Sequence, residues 1–533
     1  SWSVEDSEEV RARLEEADRL LSRGLPDRAA PLFQQVLDRF PDHLVRDPED
    51  GNRFDGARAL VLRRLRALPP DARKAYDAHA GPLGEALLER ALRALDPDLL
   101  RECGERFVLA GDAGPRALLA LADLRLARGE PGPAASALRT LLRESAGTRW
   151  AGPAAAARLA RALGATGDRE GILALRRARE GELDANLREG EASATLRSVI
   201  DAALAAAGPP PRPGDVPMLG GAPDRRGVGL PPEALDRVRW VHRNHDRFRW
   251  TERDRDQRQN EPSVANALDA SQPVAAALWD GVLFVHHHYH VIARDLYTGT
   301  ERWRFERYHP HVDRGETART HGSLIFAPAV AGGLVYAPLQ VWPLGDTPLI
   351  QRFAGQEIIP HIPVRRLFAL DAASGRQVWT HADPRPGADA FAGPLRTLNV
   401  TSSPLVIGDE VFAAGASYAG GFTAWAFAAD RRTGAVRWTA RLGYGQQELN
   451  LFGRTVKEVP VAALASDGER LFVQTNMGFV SCLDLATGRP VWSRGYAQSP
   501  VPLYQNLWTT PERELTWTGS PPVAAGGLVL AAP

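Results

Sequence analysis

The chain has 533 residues, with 65 basic side chains against 65 acidic ones and a formal net charge of zero. That length implies at least two separately packed cores. Balanced charge with 44% apolar residues excludes a disordered chain and leaves no basic footprint for nucleic acid. No run of about 18 apolar residues occurs, so no membrane span is expected. Cys103 and Cys482 stand alone, which excludes a disulfide framework, a cysteine zinc site and a C-x-x-C-H haem attachment. Lysine occurs only at Lys74 and Lys457, neither in a phosphate-loop context. The opening "SWSVEDSEEV" carries no signal peptide and no initiating Met.

Residues 1–207 read as helical. Two amphipathic runs break at Gly24-Leu25-Pro26, and Ala29, Phe33, Val36 and Pro41 follow in the small, large, small and terminating order of a second repeat helix. The scheme recurs around Gly129, with Ala134, Leu138 and Leu141, and more loosely around Gly167. This pattern resembles tetratricopeptide repeats, in which small residues let paired helices approach and proline stops the second one. A generic helical bundle is the alternative. Residues 208–232 are too rich in Pro and Gly for either period and are expected to form a linker and lead-in.

From 233 to 533 short β-rich runs repeat. "ARDLYTGTERW", "ALDAASGRQVW", "AADRRTGAVRW" and "CLDLATGRPVW" share small-x-Asp-x-x-Thr/Ser-Gly-x-x-x-Trp. With Trp240 at their head, Trp303, Trp379, Trp438 and Trp492 recur at intervals of 54 to 76 residues. That spacing predicts a β-propeller with one four-stranded blade per repeat. Asp295, Asp371, Asp430 and Asp484 are expected to end a strand and accept from turn amides. Gly299, Gly375, Gly434 and Gly488 supply positive φ, and each tryptophan wedges between blades. The fold class is therefore α+β and multidomain: a helical, tetratricopeptide-like region followed by an incomplete propeller. About four blades are complete and a fifth stops in "GGLVLAAP". Further blades are expected past Pro533, with the strand around Trp240 completing the last of them.

The four motifs resemble the tryptophan-docking repeat of the pyrroloquinoline-quinone-like propellers, and "MLGGAPDRRG" is similar to their lead-in segment. The order of helical repeat then propeller is similar to large envelope proteins of planctomycete-type bacteria. The resemblance implies the fold from about 215 onward. Alcohol-oxidising members carry an adjacent cysteine pair and a calcium site. This chain has no adjacent cysteines and no matching calcium ligands, so no quinone is expected and the likeness stops at the fold. The nearest functional analogue is the BamB-type propeller, which works by protein contact.

One propeller face is expected to be elaborated, because connections of 22 to 30 residues leave each outer strand there, while the opposite face carries tight turns. The long insertion in blade 2 projects from the elaborated face too, and function concentrates on such loops. Seven of the 13 histidines fall between 286 and 321. His286, His288 and His290 sit at a hairpin tip, and His309, His311 and His321 on the adjacent loop. Imidazoles from tip and loop together are candidate ligands for zinc or another transition metal. No H-E-x-x-H or two-His-one-carboxylate spacing accompanies them, and an aromatic, polar interaction loop is the preferred reading. Gln446, Gln447, Glu448 and Asn450 are binding-face candidates. Ser417 in "GASYA" misses the nucleophile elbow. No catalytic residue and no cofactor are assigned. The expected role is a scaffold of the bacterial envelope that binds other proteins. The alternatives are a quinone- or metal-dependent oxidoreductase and a ligand-sensing ectodomain.

Overall fold

Helices dominate the first 206 residues, as their periodicity dictates. In chain order they are α1 (Glu8–Ser22), α2 (Pro26–Arg39), α3 (Ala57–Arg66), α4 (Pro70–Ala94), α5 (Pro97–Arg106), α6 (Ala113–Ala127), α7 (Pro131–Glu144), α8 (Pro153–Thr166), α9 (Arg169–Ala178) and α10 (Leu196–Ala206). Their starts are written locally. Proline opens α2, α4, α5, α7 and α8, where its missing N–H costs no hydrogen bond. Asp96 and Asp168 cap α5 and α9 through side-chain oxygens. The pairs α1–α2, α6–α7 and α8–α9 turn at Gly24, Gly129 and Gly167. Ala29, Phe33, Val36, Ala134, Leu138 and Leu141 are all buried in one continuous helical core. A computed structural model describes residues 2–189, 192–208, 212, 215–226, 240–241, 276–287, 290–306, 326–341, 351–353, 356–358, 364–381, 395, 398–418, 422–445, 461–497 and 521–531.

The purely helical reading of this region needs correction. Five short strands interrupt it: β1 (Trp2–Ser3), β2 (Leu44–Arg46), β3 (Arg53–Gly56) and the hairpin β4 (Asn186–Glu189) with β5 (Ala192–Thr195). Three of them are completed from elsewhere in the chain. β1 pairs with the outer strand of blade 3, and β3, carrying β2 behind it, pairs with the outer strand of blade 4.

Blade 1 comprises β6 (Ala276–Trp279), β7 (Val282–His287), β8 (His290–Asp295) and β9 (Glu301–Glu306). Blade 2 comprises β10 (Ala329–Ala331), β11 (Leu334–Val341), β14 (Val364–Asp371) and β15 (Gln377–Thr380), with the hairpin β12 (Gln351–Phe353) and β13 (Gln356–Ile358) in its insertion. In blade 3, β16 (Asn399–Val400) and β17 (Leu405–Ile407) both pair with β18 (Glu410–Tyr418), followed by β19 (Phe422–Asp430) and β20 (Val436–Gly445). Blade 4 comprises β21 (Ala462–Ser466), β22 (Arg470–Thr475), β23 (Phe479–Asp484) and β24 (Pro490–Gly495). The pair β25 (Val523–Ala525) and β26 (Leu528–Leu530) follows. Each sheet is antiparallel, and the inner strands β6, β10, β17, β21 and β25 neighbour one another in that order or through β18, the arrangement of a propeller.

The repeat motif explains how blades stack. Each Asp oxygen accepts the backbone N–H and the hydroxyl of the Thr or Ser three residues on, at 2.6 to 3.1 Å. Each tryptophan then docks on the next blade. The indole N–H of Trp240, Trp303, Trp379 and Trp438 donates to the carbonyl of Leu296, Ala372, Arg431 and Leu485 at 2.8 to 3.0 Å. The ring lies flat on the motif glycine of that blade, where an added Cβ would sit 2.4 to 2.8 Å from ring atoms. Glycine is required there twice over, for its positive φ and for the ring that covers it. A second aromatic, one per blade, backs each wedge: Phe284, Tyr336, Phe412 and Phe472 lie 5.8 to 6.3 Å from the tryptophan of their own blade.

Candidate functional site

Three features distinguish the two faces of the propeller. The first is the lead-in. Val216 bridges to Leu278 of β6, the Pro217 carbonyl accepts from Val330 of β10, that of Pro223 from Ser466 of β21, and that of Asp224 from Ala524 of β25. Residues 215–226 thus run across the inner strands of blades 1, 2, 4 and the fifth, near the short-turn end of each. Arg225 is the pin. It is buried, sits at φ 61°, and donates its guanidinium to the carbonyls of Leu464 and Leu219. Burial pushes its pKa down to about 10.

The second feature is the short-turn face of blades 3 and 4, which carries the helical region. Arg143 of α7 forms an ion pair with the motif carboxylate Asp484. Arg489, just past that turn, reaches Glu105 of α5 at 2.7 Å and also Asp42. Gly56 lies so close to the Pro490 carbonyl that an added Cβ would stand 1.9 Å from it. The expectation that this face carries tight turns alone is therefore incomplete. Asp484 is both a turn acceptor and a docking anchor. Its role in docking is invisible in the motif, because Arg143 lies hundreds of residues away in sequence.

The third feature is the opposite, long-loop end of the axis. The His286 ring nitrogen Nε2 sits 2.9 Å from the Pro338 carbonyl of blade 2, and its ring centroid lies 6.0 Å from that of Phe326. The Arg365 guanidinium covers the other side of Phe326 at 4.4 Å. Asn399 accepts the Arg365 amide through Oδ1, while its Nδ2 finds no hydrogen-bond partner among the described residues. Ser402 and Ser403 are buried and accept from the amides of Ala414 and Ala327. Beside them Arg366 donates to the Leu398 carbonyl, and burial pushes its pKa down to about 10. His381 accepts the Leu367 amide at Nδ1, and burial with the adjacent Arg366 charge holds its pKa near 3, so it is a neutral imidazole. His286, Phe326, Arg365, His381, Asn399, Ser402 and Ser403 are thus packed against protein groups and buried.

The histidine run is split by the sheet. The strands extend to His287 and resume at His290, so the tip is shorter than expected. His290 pairs with His287, the residue after His286, which puts His290 on the opposite face of the sheet from His286. Those two do not converge on one ion. Among the described residues no group of three His, Cys, Asp or Glu side chains is placed to hold a metal. His288, His309, His311 and His321 lie outside the described residues, as do Gln446, Gln447, Glu448 and Asn450. Ser417 lies on β18 and accepts from the Trp425 indole at 3.0 Å. Cys103 and Cys482 are buried thiols, and burial pushes Cys103 up to about 12 and Cys482 higher. The buried cluster of Phe326, Arg365 and Asn399 was missed by sequence reasoning, since none belongs to the repeat.

Among solved structures, the chain is similar to the quinohemoprotein alcohol dehydrogenase of Comamonas testosteroni at 16% identity, covering 60% of this chain and 45% of that one, with a TM-score of 0.31. It is similar to quinohemoprotein alcohol dehydrogenase ADHIIG of Pseudomonas putida HK5 at 16% identity, covering 47% and 38%, with a TM-score of 0.30. BamB of Moraxella catarrhalis matches at 20% identity over 41% and 51%, with a TM-score of 0.23. The chain thus spans about half the length of these proteins or less. No curated protein matches it. The family model described as outer membrane protein assembly factor BamB matches residues 264–530, and with its repeat motifs the chain belongs to this family of PQQ-like propeller proteins.

Proposed function

We propose that this protein is a non-catalytic interaction scaffold of the bacterial envelope, which binds partner proteins through the long-loop face of its propeller and the outward side of its helices. Its modules are a tetratricopeptide-like region at 1–207, a lead-in at 208–232 and a propeller at 233–533. The observation that carries this reading is the division of labour between faces. Helices cover the short-turn face of blades 3 and 4, and the lead-in spans the axis beside it, so a partner meets the long loops. Membership of the BamB family supports a protein partner, and no described helix is long and apolar enough to cross a membrane. The test is a photo-crosslinking residue at Tyr444, an exposed position at the long-loop end of β20, or at Gln446 just beyond it. Discrete protein adducts from the native envelope are expected there, and none from Tyr297, exposed in the short turn of blade 1. An adduct pattern identical at both positions would overturn the reading.

A second reading, a quinone- or metal-dependent oxidoreductase, draws on the buried basic and aromatic cluster of His286, Phe326 and Arg365 at the long-loop end of blades 1 and 2. Elemental analysis of protein purified without chelator or nickel resin separates the two. About one transition metal per chain, lost on His288→Ala with His309→Ala, would replace the scaffold with an enzyme. A ligand-sensing ectodomain would instead show saturable small-molecule binding without turnover.

A further inference from the structure

Where α7 and α9 meet blade 3, an acidic side chain is buried with no counter-ion of its own among the described residues. Glu410 opens β18 directly after the turn Gly408-Asp409, pairs in register with Asp430, and is only 6% exposed. The two guanidiniums whose charge it feels are committed elsewhere: Arg437 of β20 to Asp430 at 2.8 Å, and Arg139 of α7 to Asp168. The helical side closes over the site. The Asp409 carboxylate abuts the first turn of α7, where a Cβ on Gly132 would stand 1.9 Å from it. Gly408 faces Thr166 and Asp168 across the seam, and Arg431 donates to the Thr166 carbonyl at 3.4 Å. Around the seam, then, stand the carboxyls Asp168, Asp409, Glu410 and Asp430 and the guanidiniums Arg139, Arg431 and Arg437. One proton retained by the acids brings the set to neutrality, and Glu410, with no ion pair, is the natural holder.

We infer that the seat of α7–α9 on blade 3 is a proton-dependent clasp: Glu410 is enclosed there as the neutral acid, and ionising it loosens the helices from the propeller face. Burial first, then Asp409, pushes the Glu410 pKa up to about 8, against the pull of Arg437 and Arg139, and Asp409 is raised as well. The sign follows. A carboxyl whose pKa is raised on closing favours the closed seat fully below its ordinary value near 4.5. That contribution is lost as pH rises through the folded value.

The test is hydrogen–deuterium exchange on the whole chain between about pH 6 and 9, corrected for intrinsic exchange rate, following α7, α9 and the β17–β18 turn. The opened fraction of the seat is expected to rise about tenfold per pH unit up to about 8 and then level, while β7 and β8 of blade 1 stay flat. Glu410→Gln, which keeps the shape without the charge, is expected to abolish the slope. A flat wild-type profile, an unchanged slope in the variant, or an equal rise in blade 1 would overturn the inference. The wild-type profile decides even if the variant fails to fold.

Discussion

Blades 1 and 2 and blades 3 and 4 carry the same turn, yet only the second pair is used for docking. In blade 1 the Asp295 carboxylate is half-buried and held at about 2 by Arg302 and the Thr298 amide of its own blade. In blade 4 the equivalent Asp484 is buried and paired with Arg143 from a helix. The difference teaches that the motif by itself builds a blade, and that its carboxylate becomes a docking anchor only where a neighbouring element supplies the cation. Docking is specified by its neighbours: Arg431, Arg489 and the Asp409-Glu410 turn on the propeller, and Gly56, Gly132 and Arg143 on the helices. The two regions are also joined through backbone, since β1 and β3 extend blades 3 and 4. The helical region is thus built onto the propeller and not tethered beside it.

The comparison breaks most sharply at Arg143. Arg143→Ala leaves Asp484 buried without its cation and is expected to cost about 3 kcal/mol by chemical denaturation, whereas Arg302, itself exposed, pairs with a half-buried Asp295, and Arg302→Ala should leave the midpoint nearly unchanged. Equal effects would mean that the covered and uncovered turns are energetically alike. Next comes Gly56→Ala, whose methyl meets the Pro490 carbonyl and forces β3 off β24. About 2 kcal/mol and loss of amide protection in β24 are expected, with β9 of blade 1 unaffected. Trp379→Phe keeps much of the wedge but forfeits the indole bond to Arg431, for about 1 kcal/mol.

A smaller and slower effect is the acid limb of the same interface. Burial tends to raise the Glu144 pKa, but Arg58, Arg143 and Arg66 outweigh it and hold it below the usual carboxylate range. A depressed carboxylate stabilises the fold above its ordinary pKa and stops doing so as pH falls through the lowered one. The helical seat should therefore loosen as pH falls below the ordinary carboxylate range and through the lowered Glu144 value, measurable by exchange in α7, while blade 1 holds. Least of all, Arg441→Ala removes an exposed pair with Glu5 beside β1 and is expected to cost under about 0.5 kcal/mol.

Much of this was legible in the residues. The helical hairpins around Gly24, Gly129 and Gly167, the four blades and the wedge role of each tryptophan follow from local periodicity and turn chemistry. The partner aromatic on each second strand had a signal too, in "VLFV", "LVYA", "EVFA" and "RLFV", but one blade at a time it reads as an ordinary core residue. The short strands β1, β2 and β3 had almost none, because two to four residues become strand only when another edge offers hydrogen bonds. The histidine run illustrates the converse. Its composition promised convergence, and the pleat separates His286 from His290.

By itself, then, the sequence determined the two kinds of structure, their order and the repeating unit, because helix period, turn glycine and strand alternation act over fewer than about 20 residues. Only the tertiary structure decided which face of the propeller the helices cover, which motif carboxylate becomes an anchor, where the lead-in crosses the axis, and which acid is enclosed without a counter-ion. Those outcomes rest on pairs such as Arg143 with Asp484, Gly56 with Pro490 and Arg139 near Glu410, brought together by burial and charge across hundreds of residues, where no local pattern reaches.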